Sequence, residues 1–484
     1  TAPWSEYYNK RRAIVSLQST ADRERILNSE YDVIVVGAGP VGAGLAFGLT
    51  RHDYRVLLVE QSWSEPDRIV GELMQPAGYQ ALCRLGLSDV FRGIGAVEAH
   101  GHFVEYKGNG VEIPYNVNAK TGRRFRGVSF HHGRFLQNLR GACQANSLIT
   151  CLEARVVDLV RDPVSGRVLG VKVGAAGKPG GSVLSDEDQL RVRQGDLPAN
   201  EDEGEGDTEM MVLASVTCVC DGIFSRLRKL HCTISPDLRS HFVGFVIDHT
   251  QLSPRDPSAL ESGQVDEVFR TNPLPLPQHG HVLLSGRAPV LMYQMSNTET
   301  RVLVDIPGVR LPKESTGELR GYLEKIAETI PDWSIDGRPN LRDAYLTALR
   351  STKRIRAIAN SFLPPERMRV PGVIFIGDAM NQRHPLTGGG MTAGLWDAVH
   401  VCDLLAPSRI PDLRDADRVL KAMTELHWRR KPRTMVINIL AMALYTLFAA
   451  ETEVLESLRA GCFQYFLRGG DCVDHPSGLL SGLL

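Results

Sequence analysis

Long hydrophobic runs, an excess of charge of either sign and paired cysteines are all missing from this chain of 484 residues. The most apolar stretch, MVINILAMALYTLFAA from Met435 to Ala450, falls short of the ~20 residues that a membrane-spanning helix needs. The first thirty residues hold no apolar core of signal-peptide length, so either the chain is not targeted in that way or a segment precedes them. Lys and Arg number 55 against 56 Asp and Glu, a net charge of −1, which excludes the basic footprint of a nucleic-acid binder. The nine cysteines form an odd set without a CxxC pair. That argues against a disulfide framework and a thiolate zinc site, and for reduced cytosolic thiols. His131 and His132 are adjacent, and neighbouring side chains point apart, so no metal is expected.

What is present describes an ordinary globular protein, with 43% apolar and 23% charged residues. Its length predicts two or three packed domains. YDVIVVGAGPVGAGLAFGL reads as a buried parallel strand, Asp32 to Val36, a glycine turn and a helix through about Leu49, with RVLLVE (Arg55 to Glu60) as the next strand. This is the opening βαβ unit of a doubly wound sheet. EARVVDLV and RVLGVKV predict two further strands, and VLASVTCVC (Val212 to Cys220) another. Between them Gly174 to Glu209 is rich in Gly, Pro, Asp and Glu and reads as a mobile insertion. Long antiparallel strands are expected from His241 to Pro307, a return to the buried-strand pattern in GVIFIGD (Gly372 to Asp378), and mostly helix from about 391.

Gly37, Gly39 and Gly42 form G-x-G-x-x-G between a strand and a helix, and Glu60 ends the following strand at the spacing dinucleotide binding requires. The glycines permit the turn, the approach of a pyrophosphate to the helix N-terminus, and close helix packing; Glu60 is suited to hold a ribose hydroxyl. This fingerprint alone does not choose between NAD and FAD. The stretch IGDAMNQRHPLTGGGMTAG (376–394) does, because a second strand ending in an acid, followed by a glycine-rich helix start, suits a long extended dinucleotide. Asp378 is expected to accept hydrogen bonds from a ribityl chain. The amides from Gly388 through Gly389 and Gly390 to Met391 are expected to face the electron-rich edge of an isoalloxazine lying against the backbone.

A third segment, CDGIFSRLRKL (Cys220 to Leu230), carries Asp221, Ser225 and Arg226 in the order of the DG signature of flavin-dependent hydroxylases, with Cys220 where alanine is common. Together with EPDRIVGELMQPAGY (65–79), FHHGRF (130–135), HFVGF (241–245), SFLPP (361–365), GDAMNQRHPLTGGGMT (377–392) and GGDCVDHPSGLLS (469–481), it resembles the squalene epoxidase family from about Tyr31 to the C-terminus. The resemblance implies an α/β fold: a discontinuous Rossmann-type FAD-binding domain of the para-hydroxybenzoate-hydroxylase type, an antiparallel-sheet substrate domain and a helical C-terminal region. The expected divisions are an N-terminal extension 1–30; FAD-binding parts 31–100, 126–230 (with the insertion 174–209) and 351–410; substrate-domain parts 101–125 and 231–350; and a membrane-associated helical region 411–484.

Carried over by residue, the resemblance implies FAD contacts at Pro40, Val41, Glu60, Gln61, Arg68, Leu73, Arg134, Val156, Asp378 and Met391, beside the glycines and Asp221. Gln61 stands where arginine is frequent. Tyr115 and Gln75 match a tyrosine important for activity and its proposed hydrogen-bond partner on the substrate side, with a positioning role favoured. The implied chemistry is epoxidation of squalene to (S)-2,3-oxidosqualene by O2 through a C4a-hydroperoxyflavin, in sterol biosynthesis. The implied electron donor is NADPH-cytochrome P450 reductase, because no second G-x-G-x-x-G unit serves a nicotinamide. The implied location is the cytosolic face of the endoplasmic reticulum membrane, with WRRKPR (Trp428 to Arg433) and the apolar stretch after it as the membrane segment. Two rival readings are a related FAD monooxygenase acting on another terpenoid or an aromatic, and a noncatalytic carrier of prenyl lipids.

Overall fold

A computed structural model describes residues 11–176, 209–252, 271–284, 286, 288–333 and 337–484. The acid-rich insertion lies outside the described residues except at its two ends. The chain begins with strand β1 (Val15–Ser16), helix α1 (Thr20–Leu27), strand β2 (Tyr31–Val36), helix α2 (Pro40–Leu49), strand β3 (Val56–Glu60), strand β4 (Leu73–Met74) and helix α3 (Pro76–Leu85). Strands β5 (Val97–Ala99), β6 (Gly101–Tyr106), β7 (Asn109–Pro114) and β8 (Gly127–Ser129) lead to helix α4 (His132–Ala145), then strands β9 (Ile149–Arg161), β10 (Val168–Ala175) and β11 (Met210–Val219) and the short helix α5 (Arg226–His231). Strands β12 (Asp237–Asp248), β13 (His279–Leu283), β14 (Val290–Ser296) and β15 (Glu299–Pro307) precede helices α6 (Glu318–Ala327) and α7 (Leu341–Ser351). Strands β16 (Arg356–Phe362) and β17 (Val373–Phe375) are followed by helices α8 (Gly389–Leu404), α9 (Ala416–Ala449), α10 (Glu453–Leu467) and α11 (Asp471–Leu480).

The first sheet has a parallel centre in which β3, β2, β11 and β17 lie side by side and β9 joins at β3. Its strands are near-continuous apolar runs because α2 and α4 pack against them, so that Ile34, Val35, Leu57, Leu58 and Val216 have no solvent exposure. The long strand β9 then leaves the parallel layer to pair antiparallel with β10, which pairs antiparallel with β11.

The second sheet runs β16-β12-β15-β14-β13-β6-β7 and is antiparallel except where β13 meets β6. Helices α6 and α7 pack on one face through Leu319, Leu323, Ala344 and Tyr345. Two expected divisions bear on this sheet. Segment 101–125 supplies β6 and β7 to it. Segment 351–410, expected to belong wholly to the nucleotide domain, is split: Arg356–Phe362 pairs with β12 along its length and so completes the second sheet. The open backbone edge of β12 needs such a partner, and the periodicity of 356–362 does not say which sheet it joins.

The apolar stretch at Met435–Ala450 is also longer in space than in composition. It is the second half of α9, 34 residues with Pro432 inside, which by length and apolar composition is able to cross a membrane. Its inner face, with Thr434, Ile437, Asn438 and Ala441, is buried against the protein. Most of the basic cluster just before it is engaged. Arg430 makes a buried bidentate pair with Asp397 (2.9 and 3.1 Å), Arg429 pairs with Glu425 (2.7 Å), and Arg433 stacks on Trp396 (3.9 Å). Lys431 is exposed beside exposed Trp428. The cluster therefore seats the helix more than it offers charge to a surface.

Candidate active site

Central strand β11 brings the two glycine segments together. Val219 pairs with Val36 on one side and with Phe375 on the other, so the turns that follow β2 and β17 emerge at the same end of the sheet. Gly37 is left-handed (φ 95°), and a Cβ there would lie 2.7 Å from the Cys220 carbonyl oxygen; a Cβ on Gly42 would lie 1.9 Å from the Gly37 oxygen. Val41 meets the second segment directly, since a Cβ on Gly377 would stand 3.2 Å from its Cγ2. Segments more than three hundred residues apart thus share one site.

A single cavity of about 1760 Å³ opens there, larger than the few hundred to ~1,000 Å³ of an ordinary small-molecule pocket. Gly37, Gly39, Pro40, Val41, Glu60, Gln61, Arg68, Leu73, Val156, Asp221, Asp378, Gly390 and Met391 line it. Three of the residues expected at the cofactor do not. Gly42 is buried behind the turn, and Gly389 faces α9, where a Cβ would lie 2.6 Å from Ile437 Cγ2. Arg134 is exposed on α4, outside the cleft. Six residues further on, and on a different face of the same helix, Arg140 reaches the cleft instead.

The three glycines at 388–390 have three separate causes. Gly388 caps α8 in the left-handed region (φ 61°), Gly389 permits close packing on α9, and a Cβ on Gly390 would come no nearer than 4.0 Å to Arg383, at the cleft wall. Close approach of a ring to the backbone is thus a reason available to Gly388 and Gly390, which both line the cleft, but not to Gly389.

Helices α2 and α8 both point their N-termini into this cleft, and neither Gly39 nor Gly388 supplies a side-chain cap. The helices starting at Thr20, Arg226, Leu341, Ala416 and Glu453 are all capped by Ser, Asn, Asp or Thr. The helices starting at Pro76, His132, Glu318 and Asp471 lack a side-chain cap as well. What sets α2 and α8 apart is that their glycine-marked starts line the cleft, where the first-turn N–H groups are available to a ligand.

Charged groups brace this arrangement. Glu60 Oε2 accepts from the Ala38 N–H (2.8 Å) and lies 3.5 Å from Arg140. Arg140 donates to the carbonyls of Ala38 (3.0 Å), Ser62 (3.0 Å) and Ser64 (3.1 Å). Sequence reasoning missed Arg140; its one signal is a charge on the buried stripe of α4 between Leu136 and Cys143. Arg228 donates to the carbonyls of Ile223 (2.7 Å) and Asp378 (3.0 Å) and so ties the DG segment to the end of β17. Burial raises the Asp378 carboxyl above its ordinary range, against the pull of Arg383, Arg68 and Arg228. Burial likewise pushes Asp221 up to about 6, and its Oδ1 is buried without a partner among the described residues. His132 hydrogen-bonds the Gly71 carbonyl through Nδ1 (2.9 Å), and burial lowers its pKa to about 4. Its neutral ring leaves Nε2 as an acceptor without a partner among the described residues, at the cleft wall. His131 points the other way, to Glu299 (2.7 Å).

Away from the turn, the same cavity is walled by Ile69, Phe242, Val282, Leu291, Leu303 and Leu386. The loop leading to β4 is fastened to this side by a buried bidentate pair, Arg301 to Glu72 (2.8 and 2.9 Å), with Tyr293 Oη donating to Glu72 (3.1 Å). Tyr115 and Gln75, expected as a positioning pair on the substrate side, are buried just behind the wall and do not themselves line it. Tyr115 Oη donates to Gln75 Oε1 (2.8 Å), and Gln75 Nε2 donates to the Thr387 carbonyl (2.9 Å). This relay fixes the residue just before Gly388.

Residues 213–260 and 252–484 match the family model described as squalene epoxidase. The chain is 37% identical to squalene epoxidase erg1 of Aspergillus fumigatus over 96% of its own length and 84% of that protein. It is 37% identical to squalene monooxygenase of Mus musculus over 94% of its length and 68% of that protein. Among solved structures, p-nitrophenol 4-monooxygenase PnpA from Pseudomonas putida superposes with a TM-score of 0.64 at 16% identity, covering 94% of this chain and 98% of that one. PqsL, a probable FAD-dependent monooxygenase from Pseudomonas aeruginosa, gives 0.62 at 20% identity, covering 90% and 100%.

Proposed function

Because this chain belongs to the squalene epoxidase family, we propose that it binds FAD in the cleft and epoxidises a terminal double bond of squalene with O2, yielding (S)-2,3-oxidosqualene for sterol biosynthesis. The observation that carries this reading is continuity: one cavity joins the glycine turn to the apolar wall of Phe242, Leu291, Leu303 and Leu386. FAD fits the residues present. Uncapped N–H groups of α2 and α8 suit its pyrophosphate and ring oxygens, Glu60 a ribose hydroxyl, and the orphaned Asp221 Oδ1 and His132 Nε2 accept from its hydroxyl and N–H donors. Bound and reduced, FAD supplies the activation of dioxygen.

The protein's own tasks are binding, orientation and exclusion of water. An alkene needs no general base, and the chamber walls offer apolar surface to a hydrocarbon. The buried Glu72–Arg301 pair closes the loop over the cleft, and the Tyr115–Gln75 relay holds the Thr387 carbonyl, and with it the start of α8, in place. Tyr115 is in this reading a positioning residue. Electrons come from NADPH-cytochrome P450 reductase. We assign the exposed apolar side chains Met435, Ile439, Val454 and Leu458 of α9 and α10 to the cytosolic surface of the endoplasmic reticulum membrane, where so insoluble a substrate resides.

Flavin-loaded protein incubated with squalene, reductase, NADPH and oxygen is expected to give a product heavier than squalene by one oxygen. Active reductase without a mono-epoxide would turn the reading toward another terpenoid or an aromatic. A colourless protein that refuses added FAD would turn it toward a lipid carrier. Liposome flotation is expected to weaken in an Ile439→Glu/Leu458→Glu variant, and unchanged flotation would remove the membrane assignment.

A further inference from the structure

The outer rim of the cleft is cationic although the whole chain is nearly neutral. Arg226 and Lys229 on α5, Arg310 after β15 and Arg354 before β16 all line the cavity and are all exposed. Arg226, Arg310 and Arg354 have no side-chain ion pair among the described residues. The acids on the same rim are already engaged: Asp67 pairs with Arg356, and Glu314 accepts from Arg320 (3.5 Å) and from the Ile355 N–H (3.2 Å). Among the described residues, the charges of Arg226, Arg310 and Arg354 are thus not balanced by an acid on the rim.

Apolar side chains lie among these cations. Phe224 and Val309 line the mouth and are 43% and 56% exposed, and Leu230, next to Lys229, is 52% exposed. Exposed apolar side chains interspersed with arginine suit a protein-binding patch better than a bare phosphate site. Arg310 and Arg354 flank strands of the second sheet, not the segments around the glycine turn, so a pyrophosphate at that turn does not account for them.

We infer that this rim is the docking surface for an anionic electron-donor protein, whose acidic face meets Arg226, Arg310 and Arg354 while a few apolar contacts form at Phe224 and Val309. This deepens the functional reading above, because it says where electrons enter. Charge complementarity of this kind acts mainly on the encounter rate, and it weakens with salt.

The test uses FAD-loaded protein without squalene, NADPH-cytochrome P450 reductase as the probe, and the rate of flavin bleaching as the readout. The parent rate is expected to fall steeply as salt rises. An Arg310→Glu/Arg354→Glu variant is expected to bleach on the order of tenfold more slowly at low salt, with a flattened salt dependence. Its FAD content and its reduction by dithionite should be unchanged, and Arg310→Lys/Arg354→Lys should restore the rate. The same charge change at Lys120 and Arg123, exposed and outside the cleft, should have little effect. Parental bleaching by the glutamate variant, or bleaching of the parent by NADPH alone at a turnover-competent rate, overturns the proposal. Normal reductase-dependent bleaching without any epoxide overturns the squalene reading and leaves the docking surface standing.

Discussion

The turn at Gly37–Gly42 and the run at Gly388–Gly390 divide the same three tasks among their glycines: one left-handed, one open to the cleft, one packed against a neighbour. They differ in what the packed glycine meets. Gly42 fits against the Gly37 carbonyl, inside its own turn, whereas Gly389 fits against Ile437, on a helix nearly fifty residues downstream. The first half of the site is built by a local βαβ unit. The second exists only once α9 lies across α8, held there by a buried polar seam in which Arg430 pairs with Asp397 and Arg383 donates to Asn438 (2.7 Å). Burial lowers the Arg383 guanidinium to about 10, with Asp378 opposing the shift.

Breaking that seam is expected to have the largest effect. Asp397→Ala leaves Arg430 buried without its counter-charge and should cost about 3–5 kcal/mol, read by urea denaturation. Asp397→Leu with Arg430→Met should recover much of it, since both charges then go together. Gly42→Ala attacks the local half: roughly 3 kcal/mol of overpacking against Gly37 should lower FAD affinity on the order of hundredfold in a flavin titration.

Neighbouring glycines sharpen the contrast. Gly389→Ala should destabilise by about 1–2 kcal/mol and be relieved by Ile437→Ala. Gly390→Ala, with open space at its Cβ, should leave the melting temperature level or raise it while weakening FAD binding. Equal effects from the two would mean that the glycine tasks are not divided as described. Tyr115→Phe removes the donor to Gln75 and should cost about 1–2 kcal/mol. Turnover should fall with KM little changed, because the relay acts on the start of α8 and not on the chamber wall.

The smallest effect concerns the contact between α4 and the second sheet. The hydrogen bond from His131 holds the Glu299 carboxyl down at about 2. A depressed acid contributes stability that is fully present above its unfolded value of about 4.5 and is lost as pH falls toward about 2. Glu299→Gln should therefore melt slightly below the parent near neutral pH, and the gap should close in acid. A gap that widens in acid would reverse the sign.

Much of the nucleotide half was readable from the residues. G-x-G-x-x-G, the acid at Glu60, the apolar strands and the buried run ending at Asp378 are signals carried by short stretches of chain. The turn chemistry and strand pattern behind them are local. What was not readable depends on pairing at a distance. Nothing in ANSF at 359–362 says that it edges the second sheet, and nothing in HHGRF says that Arg134 faces out while Arg140 faces in. Arg301, which no motif singles out, becomes the buried partner of Glu72 only when the loop leading to β4 lies against the second sheet.

By itself the sequence determined that two buried strands would each run into a glycine-marked helix start, the pattern that suits a dinucleotide, because backbone sterics and hydrogen-bond supply act over a few residues. Tertiary structure alone decided which charges face the cleft, why Gly389 must be small, and that the basic cluster before Met435 clamps a helix. The reason is physical: burial and ion pairing depend on what lies across the interface, and that neighbour is encoded elsewhere in the chain.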